Sequence, residues 1–188
     1  MSTPATSSTP VLACFPERED PRDALVTEQG LALDELSAGD RVGTGSLRRR
    51  LQLHALRNDL EYAPLRGNLD TRLRKLAQGH YQAIVLAHAG LRRLGLANRP
   101  LRALPVDRVI PSVGQGALAL QARVDDRAVH ELLAPLEHPP SRACIEAERA
   151  FLRELGGDCN VPLAGHARLE NDGALLRFDA LVGSVEQA

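Results

Sequence analysis

The chain predicts an α/β fold, a parallel-type sheet domain followed by a small α+β module. Three observations carry this. Between Arg41 and Ala87, short apolar runs that read as strands alternate with helical runs, the spacing of βαβ units. Glycines stand where the helices should stop, at Gly39, Gly79 and Gly95. Beyond Asp126, two helical runs precede two alternating strands around "NDG", a strong hairpin signal.

In order, residues 1–10, "MSTPATSSTP", read as a disordered Ser/Thr/Pro tail. "VLACF" reads as a buried strand, and the charged, twice-proline-broken "PEREDPRDALV" as a loop or crossing segment. "ALDELSAG" predicts a short helix ending at Gly39. "RVGTGSLRRRLQLHALRN" predicts strand, glycine turn and helix, with Ser46 as N-cap and Leu47, Leu51, Leu53 and Leu56 as the apolar stripe. "YAPLRG" is a strand, "NLDTRLRKLAQG" a helix, "QAIVLA" a strand and "AGLRRLG" a short helix. Pro and Gly punctuate Pro105 to Gly116, after which "ALALQARV" reads as a strand. "DDRAVHELLAPL" and "SRACIEAERAFLREL" are helices.

Composition narrows the function. Aromatic residues make up 3% with no Trp, which argues against base-stacking modules. A net charge of -1 gives no general pull toward nucleic acid or membranes. No apolar run approaches spanning length. Cys14, Cys144 and Cys159 lack CxxC spacing and a nearby His pair, so neither a metal site nor a disulfide framework is indicated, and a reducing, cytoplasmic compartment fits. Lys75 is the one lysine among 23 basic residues. The other basic residues are arginines, whose planar forks bind carboxylates bidentately.

"GTGSLRRR" puts Thr44, Ser46, Arg48 and Arg49 at a glycine turn and helix start. Free N–H groups gather there, and cations are unfavourable unless an anion is held. Singly, each arginine reads as a solvated surface charge. The cluster reads as an anion site. "LRGNLDTRL" repeats the device with Arg66 and Arg72, and both turns should lie at carboxyl ends of strands. "PSVGQGAL" reads equally as a flexible segment near a ligand or as a plain turn. His88, after an apolar strand, reads first as structural. Cys14 and Cys144 sit in apolar runs and read as core. Cys159, in "LGGDCNVPLAGH", follows two glycines and an aspartate and precedes Pro162. That setting suits an accessible thiol that reacts once, to anchor a group.

These motifs, with "EREDPRDALV", "AIVLAHAGLRRLG", "AERAFLRELGGDCNVP" and "ALVG", resemble in content and order the porphobilinogen deaminase (hydroxymethylbilane synthase) family, from Val11 to Gly183. The body also resembles half of a periplasmic binding protein. The resemblance implies stepwise head-to-tail condensation of four porphobilinogen units into hydroxymethylbilane, with release of ammonia, in tetrapyrrole (haem) biosynthesis. It implies a dipyrromethane cofactor held by a thioether to Cys159, with Thr44, Ser46, Arg48, Arg49 and Arg66 around the cofactor and Arg49, Arg66 and Arg72 on the substrate. The partners implied are porphobilinogen and linear oligopyrroles, with no nucleic acid, membrane or metal, in a family usually monomeric. Residues 11–20 then correspond to a remnant of a first domain, 21–107 to the α/β second domain, 108–125 to a crossover strand of the first, and 126–188 to a shortened α+β third. The family's catalytic aspartate, in a "KD" motif, has no counterpart here. Asp20 and Asp23 belong to a different motif and do not inherit its role. The expectation is a deaminase by descent lacking most of the first domain and the end of the third, with a complementing chain as a possible source of the former. The competing readings are a non-catalytic carboxylate-binding module of the same descent and a fragment that folds poorly.

Overall fold

The computed structural model describes residues 9–96, 98–156 and 162–184. Its centre is a five-stranded sheet built from β2 (Asp23–Val26), β3 (Arg41–Gly43), β4 (Glu61–Ala63), β5 (Ala83–Ala87) and β6 (Leu101–Ala103), in the order β4-β3-β5-β2-β6. β3 runs parallel to β4 and β5, while β2 is antiparallel to both β5 and β6. Four strands therefore share one direction and β2 opposes them.

Strand alternation builds a core on each face of this sheet. Ala24, Val26, Ile84 and Leu86 face one side, with Leu73 and Leu76 of helix α2 (Leu69–Ala77) and Leu91 of α3 (His88–Arg93). Leu25, Val42, Ala83 and Val85 face the other, with Leu53 of α1 (Leu47–Leu56). The result is a helix–sheet–helix sandwich.

β1 (Pro10–Cys14) pairs antiparallel with β7 (Leu120–Arg123) in a separate two-stranded sheet. Exposure along β7 alternates between half-buried and open. Helix α4 (Arg127–Leu133) and a 3-10 turn at Ala134–Leu136 lead to the long α5 (Pro139–Glu154). α5 packs on the hairpin of β8 (Leu163–Glu170) and β9 (Leu175–Val182), with Phe151 meeting Phe178 edge-on at 5.1 Å. The "NDG" signal folds as predicted. Asn171 and Asp172 take φ of 52° and 54°, and Gly173 N–H donates to Glu170 O at 3.2 Å.

Several expectations need correction. "DALV" is not loop but β2, buried at all four positions. A strand buried on both faces shows no alternation, and Pro21 breaks the chain before it rather than within it. β6 also escaped notice, being three residues between prolines. "VLACF" is a strand, but within β1 only Cys14 is buried. "ALDELSAG" forms a single 3-10 turn at Leu33–Glu35. Its N–H groups are drawn to other partners, Ser37 to Asp40 Oδ2 at 2.8 Å and Gly39 to Asp59 O at 2.8 Å. In α1 the leucine stripe is only partly right. The buried side chains are Arg48, Arg49, Gln52 and Leu53.

Candidate anion-binding site

The turns after β3 and β4 lie side by side at the carboxyl edge of the sheet. Thr44 N–H donates to Ala63 O at 3.0 Å, and Leu65 N–H returns to Thr44 O at 3.2 Å. The approach is close enough to exclude a side chain at position 45, where a Cβ would lie 2.9 Å from Leu65 O. Ser46 caps α1, its Oγ accepting from Arg49 N–H at 3.4 Å, and Thr44 Oγ1 accepts from Ser46 N–H at 3.2 Å. Asn68 caps α2, its Oδ1 accepting from Thr71 N–H at 2.9 Å.

From this edge Arg48 and Arg49 turn inward, 5% and 9% exposed. Both meet Asp23, the fully buried first residue of β2, which the antiparallel direction of that strand delivers to the same edge. Arg49 reaches Asp23 Oδ1 through Nε at 2.9 Å and Nη2 at 2.8 Å, and donates from Nη1 to Val85 O at 3.2 Å. Arg48 Nη2 lies 2.8 Å from Asp23 Oδ2, and Nη1 donates to Ile110 O at 2.6 Å. Gln115 closes the cluster. Its Nε2 donates to Pro21 O at 2.6 Å and Asp23 Oδ1 at 2.9 Å, while Oε1 faces Arg48 and Arg49 Nη2 at 3.4 and 3.5 Å.

Two guanidiniums thus share one carboxylate, and the cluster carries one uncompensated positive charge. Burial pushes the Arg48 guanidinium down from its ordinary value, Asp23 opposes the shift and Arg49 adds to it. Arg48 Nε and Asp23 Oδ2 are both buried without a hydrogen-bond partner among the described residues, the latter in ion-pair contact with Arg48 Nη2. A buried charge without its full complement is costly, so the cluster suits an added anion.

The sequence-predicted residues are therefore only partly brought together. Thr44, Ser46, Arg48 and Arg49 share one turn and helix start. Arg66 and Arg72 occupy the adjacent turn, outside the Asp23 cluster. Arg66 is exposed, and Arg72 donates from Nε to Gly67 O at 2.8 Å. Cys159 lies outside the described residues. Cys14 and Cys144 are buried, and burial raises both thiols above their ordinary value.

Four contributors were not read as site residues. Asp23 and Gln115 are in the cluster itself. Glu148 of α5 is fully buried and binds Arg18 bidentately, at 2.6 and 3.2 Å. It also accepts from Gly114 N–H at 2.6 Å and Ala167 N–H at 2.8 Å. Arg18 in turn donates from Nε to Gln115 O at 2.9 Å. The signal was present in "EREDPRD" and "PSVGQGAL", which place acids and a glutamine in glycine- and proline-marked loops. Among the described residues no helix is long and apolar enough to cross a membrane.

Comparison with known proteins agrees with the motif order. A family model described as porphobilinogen deaminase, dipyromethane cofactor binding domain, matches residues 3–131, and one for the porphobilinogen deaminase C-terminal domain matches residues 142–188. Porphobilinogen deaminase of Roseiflexus sp. is 55% identical over 166 residues, covering 88% of this chain and 55% of the relative. That of Syntrophobacter fumaroxidans is 49% identical over 175 residues, covering 93% of this chain and 56% of the relative. The chain thus spans about half the length of these curated relatives. Among solved structures it is similar to the second substrate binding domain of a putative amino acid ABC transporter from Streptococcus pneumoniae. That likeness has a TM-score of 0.43 and 15% identity, covering 82% of this chain and 64% of the other.

Proposed function

The chain belongs to the porphobilinogen deaminase family, and from that premise we propose that it acts in hydroxymethylbilane synthesis, joining four porphobilinogen units head to tail with loss of ammonia. The observation that carries the reading is the buried Arg48–Arg49 pair sharing the single carboxylate of Asp23. Pyrrole units with acetate and propionate arms supply the missing anion. Arginine forks at a helix start take such groups with charge-assisted hydrogen bonds.

The same cluster fits the dipyrromethane cofactor, because its excess charge and the orphaned Arg48 Nε both call for a carboxylate. Thr44, Ser46, Arg48, Arg49 and Arg66 would hold the cofactor, with Cys159 as covalent anchor. When bound, it supplies a primer whose free pyrrole end is extended. Arg66 and Arg72, on the adjacent turn, would take the carboxylates of incoming substrate. Asp23, Gln115 and the carbonyls of Val85 and Ile110 keep the inner forks in place meanwhile.

Calorimetry with porphobilinogen tests the binding site. Arg49→Ala should weaken binding by about 1.5–3 kcal/mol, as for a lost charge-assisted hydrogen bond. Arg66→Ala, at an exposed position where folding is not at stake, should also weaken it. Unchanged affinity in both variants rejects the site. Intact-mass and peptide mapping test the anchor, with the chain alone and mixed with the part of the Roseiflexus relative it does not span. An adduct on Cys159 with ammonia release supports the transferase. Binding without adduct or turnover in both preparations supports a carboxylate-binding module instead.

A further inference from the structure

Leu51 of α1 belongs to neither core of the sheet. It packs instead against the far end of the chain. A Cβ added at Gly183, just past β9, would lie 2.8 and 3.5 Å from Leu51 Cδ1 and Cδ2 and 3.0 Å from Pro162 Cγ. Gly183 is therefore flanked by Leu51 and Pro162, and both close on it because it has no side chain. Its N–H donates to Pro162 O at 3.0 Å. Its φ lies outside the left-handed region, so packing rather than backbone conformation asks for glycine here.

A second contact fixes the same stretch of chain. Ile110 N–H donates to Gln52 Oε1 at 2.8 Å, and Ile110 O accepts from Gln52 Nε2 at 3.0 Å and from Arg48 Nη1 at 2.6 Å. The next residue, Pro111, accepts at its O from Gly165 N–H of β8 at 3.0 Å. Gly165 is as tightly enclosed, since a Cβ there would lie 3.1 Å from Val113 Cγ2, 3.2 Å from Phe178 Cζ and 3.3 Å from Phe151 Cδ1. One turn of α1 thus holds the chain at Pro162 through Leu51, and at Gly165 through Arg48, Gln52 and the 110–111 segment. β8 begins at a fixed place on the helix that carries the arginine pair. Cys159 stands three residues before Pro162 in the sequence.

We propose that Leu51 is a positioning residue for the tethered primer: by packing on Gly183 and Pro162 it fixes where the chain that carries Cys159 enters β8, against the turn of α1 that follows Arg48 and Arg49. The proposal rests on reading Cys159 as the anchor and the arginine cluster as the anion site. Three residues span at most about 11 Å. A group bound at position 159 is then confined near the forks that take its carboxylates, and their encounter is intramolecular at high effective concentration. A β8 start free to swing away from α1 would dilute that encounter.

The test uses two reagents that alkylate a thiolate with loss of iodide, iodoacetate and iodoacetamide, on the full chain at about 10 mM ionic strength, where screening is weak. Both consume the same thiolate, so accessibility and proton affinity cancel in the ratio of their rates, and the charge of the reagent remains. Peptide mapping reads Cys159 apart from the buried Cys14 and Cys144. One unit of excess positive charge at about 10–20 Å, with an effective dielectric of about 40, raises the ratio roughly twofold to fourfold over that of the urea-unfolded chain. Gly183→Val wedges Leu51 away from Pro162, and Leu51→Ala removes the packing outright, so each should lose that excess. The double variant exchanges carbon for carbon across the contact, a volume-conserving swap, and should regain it. A role in stability alone would shift urea midpoints and leave the ratio where it was. A wild-type ratio equal to that of the unfolded chain overturns the proposal. So does a double variant no nearer to wild type than Leu51→Ala, a comparison that holds even if Gly183→Val fails to fold. If the ratios behave as expected while porphobilinogen leaves Cys159 without an adduct in both preparations described above, the anchor reading fails and the positioning of the thiol stands. If the adduct forms on Cys159 while the ratio is the same in wild type and all variants, the anchor reading stands and this proposal falls.

Discussion

Replacing Glu148 by Gln tests how the elements are tied together. The carboxylate is fully buried and accepts from Arg18 Nη1 and Ala167 N on Oε1, and from Arg18 Nη2 and Gly114 N on Oε2. A glutamine keeps one oxygen. In either orientation its NH2 faces donors, and Arg18, with 10% of its side chain exposed, loses its counter-charge. Breaking a buried ion pair from one side costs about 3–5 kcal/mol, a large share of the roughly 5–15 kcal/mol that stabilises a domain. With a urea m-value near 2 kcal/mol/M, a loss of about 4 kcal/mol lowers the unfolding midpoint by about 2 M. Circular dichroism in urea on the full chain reads this directly. Arg18→Met removes the stranded cation, so in that background the glutamine should cost less, with a coupling of about 1–3 kcal/mol in the double-mutant cycle. A midpoint within about 0.5 M of wild type for Glu148→Gln, or strict additivity with Arg18→Met, refutes the reasoning.

Two further perturbations probe backbone strain and a buried imidazole. Gly116 has φ of 85°, and an added Cβ would overlap Glu19 O, so Gly116→Ala should cost about 3 kcal/mol in urea melts. Gly114→Ala, with φ of 73° and open space, should cost only the backbone strain of about 1–2 kcal/mol, and equal costs would discount the contact. His166 is buried with Nδ1 unpartnered among the described residues. Burial, with a smaller push from Arg18, lowers its pKa below 6.5. The unfolded chain then takes up the proton first, so this contribution is full above about pH 6.5 and is lost as pH falls toward the folded value, by at most about 1.4 kcal/mol per pH unit. Urea midpoints at pH 5.5 and 7 should show a smaller acid loss in His166→Phe than in wild type, and an equal loss would place the effect elsewhere.

What the sequence made legible follows from periodicity and punctuation. Helices α1, α2 and α5 and strands β3, β4 and β5 showed as runs bounded by Gly, Ser or Asn, because local caps and turns fix those boundaries. β2 did not show. Its four residues are buried on both faces, and its one charged residue, Asp23, pairs across the fold with Arg48 and Arg49. The site divides the same way. Thr44, Ser46, Arg48 and Arg49 were visible as a local cluster at a helix start. Asp23 and Gln115 were not, because they reach Arg49 from 26 and 66 residues away. Nor did the two arginine-bearing turns show in advance that Arg48 and Arg49 turn inward to an acid while Arg66 stays exposed.

That inward turn bears on why the basic residues in this cluster are arginines. Arg49 addresses Asp23, Val85 O and Gln115 at once, and Arg48 addresses Asp23, Ile110 O and Gln115. A lysine ammonium, a compact point charge, could not span these acceptors from one position. Gln115 then carries the frame onward, since its carbonyl accepts from Arg18 and the neighbouring Gly114 N–H donates to Glu148. A continuous polar chain therefore runs from the arginine pair through Gln115 and Arg18 to α5. That helix ends at Glu154, five residues before Cys159 in the sequence. In the proposed reaction a tethered chain must be presented repeatedly to the same anion site. A frame that ties the helix before the tether to the arginines keeps that geometry from being rebuilt at each addition, which is where positional pre-organisation contributes most.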